Sequence, residues 1–163
     1  MPADADGWSL VEATENDLRE LMGWFTDARS VNEWGGPRFR FPYTWETFRE
    51  DCHWGQMSTY RLNDPNGAFA GFGQLYERYG RINFARLVAH PTMRGRGVGK
   101  RLVALLLAVG PSLLSCREFS LFVFRDNIRA LECYRSMGFV IREYPSDAPM
   151  PDECYYLTRP VEE

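Results

Sequence analysis

Apolar residues recur along the chain with two periods, close to two and close to 3.6, which divides it into strands and amphipathic helices. Trp8–Glu12 reads as a short first strand. Thr14 with Asp17 three residues later has the form of a helix start, and Leu18, Leu21, Met22 and Phe25 would be that helix's buried face. Asp27 to Tyr43 is the least regular stretch, broken by Trp34-Gly35-Gly36-Pro37 and followed by alternating charge and ring in Arg38-Phe39-Arg40-Phe41. Thr44 is expected to cap a second helix that continues to the region of Trp54. Met57–Leu62 and Ala68–Glu77 read as strands of a hairpin joined by Asp64-Pro65-Asn66-Gly67, and Tyr79-Gly80 turns into a third strand, the apolar run Ile82–Ala89.

A long helix then carries Val98, Leu102, Leu105, Leu106 and Val109 on one face and is expected to stop at Gly110-Pro111. Glu118–Phe124 reads as a strand reached through that helical crossover, so it should pair in parallel with Ile82–Ala89. Asn127–Met137 is a helix stopped by Gly138; Phe139–Tyr144 and Glu153–Leu157 are two last strands around a proline-rich loop, Pro145–Asp152. Neither a repeat nor a linker interrupts this order. The expectation is one α/β domain over residues 1–163, with about seven strands in a mixed, mostly antiparallel sheet and about four helices.

Composition narrows the function. A net charge of −3 and a pI near 5.5 argue against a general nucleic-acid binder. The four cysteines, Cys52, Cys116, Cys133 and Cys154, show no Cys-x-x-Cys spacing, and His53 and His90 stand alone, so reduced thiols and no metal are expected. The first residues lack the form of a signal peptide, and no apolar run approaches the roughly 18 residues of a membrane span. A cytoplasmic protein, with no membrane partner, is the expectation.

The densest chemistry lies in Arg94-Gly95-Arg96-Gly97-Val98-Gly99-Lys100, between a strand and a helix. Glycines let main chain approach a ligand closely, and the unpaired N–H groups at a helix start suit a phosphate or pyrophosphate. The stretch is not a Walker loop: three residues rather than four separate Gly95 from Gly99-Lys100, and Arg101 follows where Ser or Thr is required. Nor is it the dinucleotide fingerprint, because Gly-x-Gly-x-Gly replaces Gly-x-Gly-x-x-Gly and lies past the middle of the chain.

Arg94, Gly97 and Gly99 meet the Arg/Gln-x-x-Gly-x-Gly/Ala pattern that resembles the acetyl-CoA motif of the Gcn5-related N-acetyltransferases (GNAT). Asn127, Tyr134, Gly138 and Phe139 resemble a second segment of that family at the expected spacing. The resemblance covers Ile82 to Val140 and implies a sheet whose two parallel strands splay to admit the pantetheine arm of acetyl-CoA. It implies that main chain at Leu87, Val88 and Ala89 binds the pantetheine amides and that Arg94, Gly95, Arg96, Gly97, Val98, Gly99 and Lys100 hold the pyrophosphate. Asn127 would bind the cofactor or cap the following helix, and Tyr134 would protonate the departing thiolate.

The implied activity is acetyl transfer to a primary amine of a small molecule or a peptide or protein, by direct attack on the thioester; a non-catalytic acyl-CoA sensor is the alternative. By the same resemblance Trp34, Arg38, Arg40 and Tyr43 are groove residues for the acceptor, although the rings also suit a core-covering role. Arg38 and Arg40 would favour an acceptor with a carboxylate. No base is legible: where some members carry a glutamate this chain has Phe122, leaving Glu77, Glu33 or water. A monomer or homodimer is expected.

Overall fold

The computed structural model describes residues 2–162. β1 (Ser9–Glu12) leads into α1 (Glu15–Leu21), which begins with a reciprocal cap. The Thr14 hydroxyl accepts from the Asp17 amide at 3.2 Å, and the Asp17 carboxylate accepts from the Thr14 amide at 2.8 Å. α2 (Ala28–Gly35) follows, where the sequence suggested irregular chain. It starts at Asp27, whose carboxylate accepts from the Ser30 amide at 2.7 Å, and ends where Gly36 turns to φ +102°. α2 spaces Ala28, Val31 and Trp34 three residues apart, but it is only eight residues long and runs into Gly35-Gly36-Pro37, so its period is too short to stand out from the irregular chain around it. α3 (Trp45–Asp51) is capped by Thr44 as expected.

β2 (Ser58–Asn63), β3 (Phe69–Arg78) and β4 (Arg81–Ala89) form the antiparallel meander. α4 (Val98–Leu113) crosses to β5 (Glu118–Phe124), and α5 (Ile128–Ser136), β6 (Val140–Arg142) and β7 (Cys154–Pro160) complete the chain. α4 does not stop at Gly110-Pro111 but runs through it to Leu113. Gly110 answers to packing instead: a Cβ there would stand 3.1 Å from Phe119 Cε1 and 3.3 Å from Ile82 Cγ2, so the missing side chain lets the helix lie against the sheet.

Among the described residues seven strands form one sheet in the order β1-β2-β3-β4-β5-β7-β6, with five α-helices where about four are expected. Its one parallel pair is β4 with β5, and that pairing covers only Ile82–Phe84 against Phe119–Leu121. Beyond Phe84 and Leu121 the two strands part, while β4 keeps β3 and β5 keeps β7. The sheet is therefore split along half of one seam. Two apolar clusters cover it. One joins Leu102, Leu105 and Leu106 of α4 to Leu75, Phe84, Phe119 and Leu121, and Tyr134 of α5 packs against it. The other joins Leu18, Val31 and Phe48 of the first three helices, and Phe25 between α1 and α2, to Phe69 and Phe72. Each face of the sheet is thus closed by helices, and the split is left as a way through.

Candidate active site

Two cavities occupy the split. The larger, about 810 Å³, runs from the parted edge of β4 to the start of α4 and the adjoining face of α5. Four of the five helices open on a side-chain cap, at Thr14, Asp27, Thr44 and Asn127; α4, the longest, opens on Gly97 with none. Gly97 sits at φ +75°, a conformation that costs a residue with a Cβ about 1–2 kcal/mol, and nothing lies within 4 Å of where that Cβ would be. The first amides of α4 therefore face open space with their partial positive charge unmet. Of the residues expected to hold a phosphate-bearing cofactor, Leu87, Val88, Ala89, Arg94, Gly95, Gly97, Val98, Gly99, Lys100, Asn127 and Tyr134 line this cavity. Arg96 does not; it is exposed outside it. Arg101 also turns away, bonding Asp4 at 2.9 Å and Asp6 at 3.1 Å. The fit to a long ligand with an anionic end is good: an uncapped helix start, a basic rim at Arg94 and Lys100, and an unpaired strand edge.

The smaller cavity, about 240 Å³, lies in the same split on the side of α2 and β3, and is closed by Phe122 of β5 and the loop residues Tyr144 and Met150. Glu33, Trp34, Leu87, Asn127 and Tyr134 line both cavities, so they mark the junction. β4 carries a bulge there: Arg86 and Leu87 together oppose Gly73, and Arg86 takes φ +53°. Trp34 is held by this bulge, its Nε1 donating to the Arg86 carbonyl at 2.8 Å. The Asn127 side chain does cap α5, accepting from the Ala130 amide at 3.3 Å, while still facing the junction. The Tyr134 ring rests edge-on against Phe139 at 6.2 Å, and its hydroxyl forms no side-chain hydrogen bond among the described residues. Burial pushes the Tyr134 phenol above its ordinary value, so it stays protonated at neutral pH.

The remaining expected residues fall elsewhere. Glu77 alternates along β3 with Tyr76 and Arg78, which line the small cavity, so it faces the opposite side and accepts from Cys116 Sγ at 3.3 Å. It is removed from the cleft by the period of two of its own strand. Arg38 is exposed and lines neither cavity. Arg40 is bound to Glu50 at 2.8 Å and Asp51 at 2.9 Å, and Tyr43 donates its hydroxyl to the Met22 carbonyl within the aromatic cluster around Phe48. Arg40 and Tyr43 thus hold α3 and its approach together, and none of the three lines the cleft. No group of three or more His, Cys, Asp and Glu among the described residues is placed to hold a metal ion.

A family model described as "Acetyltransferase (GNAT) family" matches residues 28–139, from α2 through Phe139. The chain belongs to the GNAT family. This GNAT chain is 29% identical over 97 residues to the spermine/spermidine N(1)-acetyltransferase of Bacillus subtilis (strain 168), a match covering 55% of the chain and 62% of that protein. It shares its fold with a spermidine N-acetyltransferase of Vibrio cholerae crystallised with CoA and spermine, at TM-score 0.74 and 17% identity, over 95% of this chain and 96% of that one. A dodecameric structure of spermidine N-acetyltransferase from Vibrio cholerae also matches, at TM-score 0.67 and 18% identity, over 95% and 94% of the two chains. No described helix is long and apolar enough to cross a membrane.

Two positions in the wall of the small cavity, Arg78 and Arg86, are not among the residues expected there from sequence. A signal for the second was present. Arg86 interrupts the run Ile82–Ala89, and a cation inside a strand covered on both faces needs a reason.

Proposed function

We propose that the chain is an acetyl-CoA-dependent N-acetyltransferase in which a primary amine attacks the thioester directly. The observation that carries this reading is the junction of the two cavities at Leu87, Asn127 and Tyr134, in the one place where the sheet opens. Acetyl-CoA supplies the activated acyl group. Its pyrophosphate would be held by the uncapped start of α4 with Arg94 and Lys100, and its amides by the parted edge of β4. Tyr134 keeps a proton on its hydroxyl at the junction and delivers it to the departing sulfur. The Trp34 indole and the bulge at Arg86 fix the wall across which amine and thioester meet. Glu33 is the one carboxylate lining both cavities among the described residues, and it takes the amine proton directly or through water.

The test is thiol release from acetyl-CoA in the presence of an amine library, run beside calorimetric acetyl-CoA binding. Binding with amine-dependent thiol release is expected. Binding without thiol release for any amine would instead make the chain an acyl-CoA sensor.

A further inference from the structure

We propose that the small cavity selects an acceptor carrying an anionic group, a small amine with a carboxylate or comparable oxyacid, read by Arg86 and Arg78; this rests on the acetyltransferase reading above. Elsewhere in the chain partly buried arginines meet carboxylates, Arg61 with Asp17 at 2.8 Å and Arg81 with Glu118 at 2.9 Å. Arg78 and Arg86 line the small cavity and form no ion pair among the described residues. A guanidinium withdrawn from water without a counter-charge is costly, and a bound anion removes that cost.

Arg86 is built into place. Its Nη1 donates to Gln74 Oε1 at 3.0 Å, and Gln74, fully buried, is itself fixed by donating to the Cys52 carbonyl at 2.7 Å and to Thr59 Oγ1 at 3.0 Å. The Arg86 Nε is buried with no hydrogen-bond partner. Its backbone, at φ +53° in the bulge, is in the region where strain accompanies a function. Asp51 of α3 is not its partner, because Arg40 bonds that carboxylate at 2.9 Å. Burial accordingly draws the Arg86 guanidinium below its ordinary value, although it remains a cation at any physiological pH.

Arg78 is held by stacking: its guanidinium carbon lies 4.7 Å from the Phe122 ring centroid and 5.3 Å from that of Tyr79. One nitrogen donates to Tyr76 Oη at 3.2 Å, which leaves other N–H groups for a ligand. The carboxylate in this cavity, Glu33, is bonded to Arg29 at 2.9 Å. A polycation entering here meets two unpaired cations and one acid that is already matched, an arrangement that repels it while favouring an anion. At about 240 Å³ the cavity is also below the roughly 300–1,000 Å³ of pockets for larger ligands, so the acceptor is small.

The experiment measures thiol release with amine pairs that differ only in a carboxylate, α-amino acids against their decarboxylated amines, with spermidine as the polycation. The carboxylate-bearing member should have the higher kcat/KM by about 10²-fold or more, as charged hydrogen bonds in a buried site provide. Arg86→Gln and Arg78→Leu should each collapse that ratio by about tenfold or more, chiefly through KM, and Arg86→Lys should restore part of it. Equal or better turnover of the decarboxylated amines or spermidine by the wild type would overturn this proposal and leave the acetyltransferase reading standing. So would arginine variants that slow both members of each pair equally. Acetyl-CoA binding with no amine turned over would overturn both. Should Arg86→Gln fail to fold, Arg78→Leu and the wild-type pairs still decide.

Discussion

Tyr134 and Cys52 show how burial sets the chemistry of single side chains. Tyr134→Phe keeps the ring against Phe139 and the wall of both cavities, and removes only the hydroxyl. Acetyl-CoA affinity should hold while kcat falls by on the order of 10²–10⁴-fold in single-turnover measurement; a rate within about threefold of wild type would take Tyr134 out of the mechanism. Burial pushes the Cys52 thiol up to about 12, with no exposed surface. The unfolded thiol titrates near about 8.5, so in the interval between the two values the unfolded chain sheds a proton that the folded one keeps. Stability from this group is complete below about pH 8.5 and declines as pH rises toward 12. In the native protein at pH 8, iodoacetamide should therefore label the partly exposed Cys116 and Cys133 well before Cys52 and Cys154, as read by peptide mass spectrometry. Early labelling of Cys52 would show that α3 opens readily from the sheet. The place of Tyr134 at the junction is legible in sequence because Asn127, Gly138 and Phe139 stand around it at fixed spacing. Arg38 and Arg40 misled because a charge between rings looks the same whether it meets a ligand or, as Arg40 does, Glu50 and Asp51.

At the start of α4, backbone rather than side chain would carry the proposed binding of acetyl-CoA. Gly97→Glu should abolish measurable acetyl-CoA binding in a protein whose circular dichroism is unchanged, because it adds a carboxylate where the helix start offers positive potential. Unchanged affinity in the folded variant would remove the cradle from this turn. Such a site is readable from sequence because main-chain geometry imposes residue types: Gly95 at φ +80° and Gly97 at φ +75° are demands that few other residues meet. The same logic fails at Gly110-Pro111, where the glycine answers to Phe119 and Ile82 across the interface and does not end the helix. It failed at α2 for the opposite reason. That helix is held by the Asp27 cap and by Trp34 reaching the Arg86 carbonyl, 52 residues on, and neither contact appears as a period in the sequence. α2 matters because it brings Glu33 and Trp34 to the junction; both residues are expected at the site from sequence, and only the helix that carries them is not.

Topology explains why the lining of the larger cavity is more legible in sequence than that of the smaller. The larger cavity is made largely by consecutive chain, β4 into α4, with α5 beside it. The small cavity draws on α2, β3, β4, β5 and the loop before β7, and no local pattern reports that meeting. The split between β4 and β5 also makes a prediction that depends on neither chemistry nor acceptor. Pairing stops at Phe84 and Leu121, so the amides of residues 85–89 that face the gap lack a strand partner, while Ile82–Phe84 have one. If the pantetheine arm completes that edge, acetyl-CoA should slow hydrogen exchange at 85–89 and at the uncapped amides of 98–100, and leave 82–84 and 119–121 as they were. At a concentration of 100 times Kd the ligand should also stabilise the fold by about 2.7 kcal/mol, which for a domain of this size raises Tm by about 5–11 °C. The two measurements must agree. A thermal shift with protection confined to 98–100 would mean that only the phosphate end is engaged and that the β4 edge does not hold the arm. Protection spread evenly over the whole sheet would mean that binding tightens the molecule generally instead of filling the gap between its two parted strands.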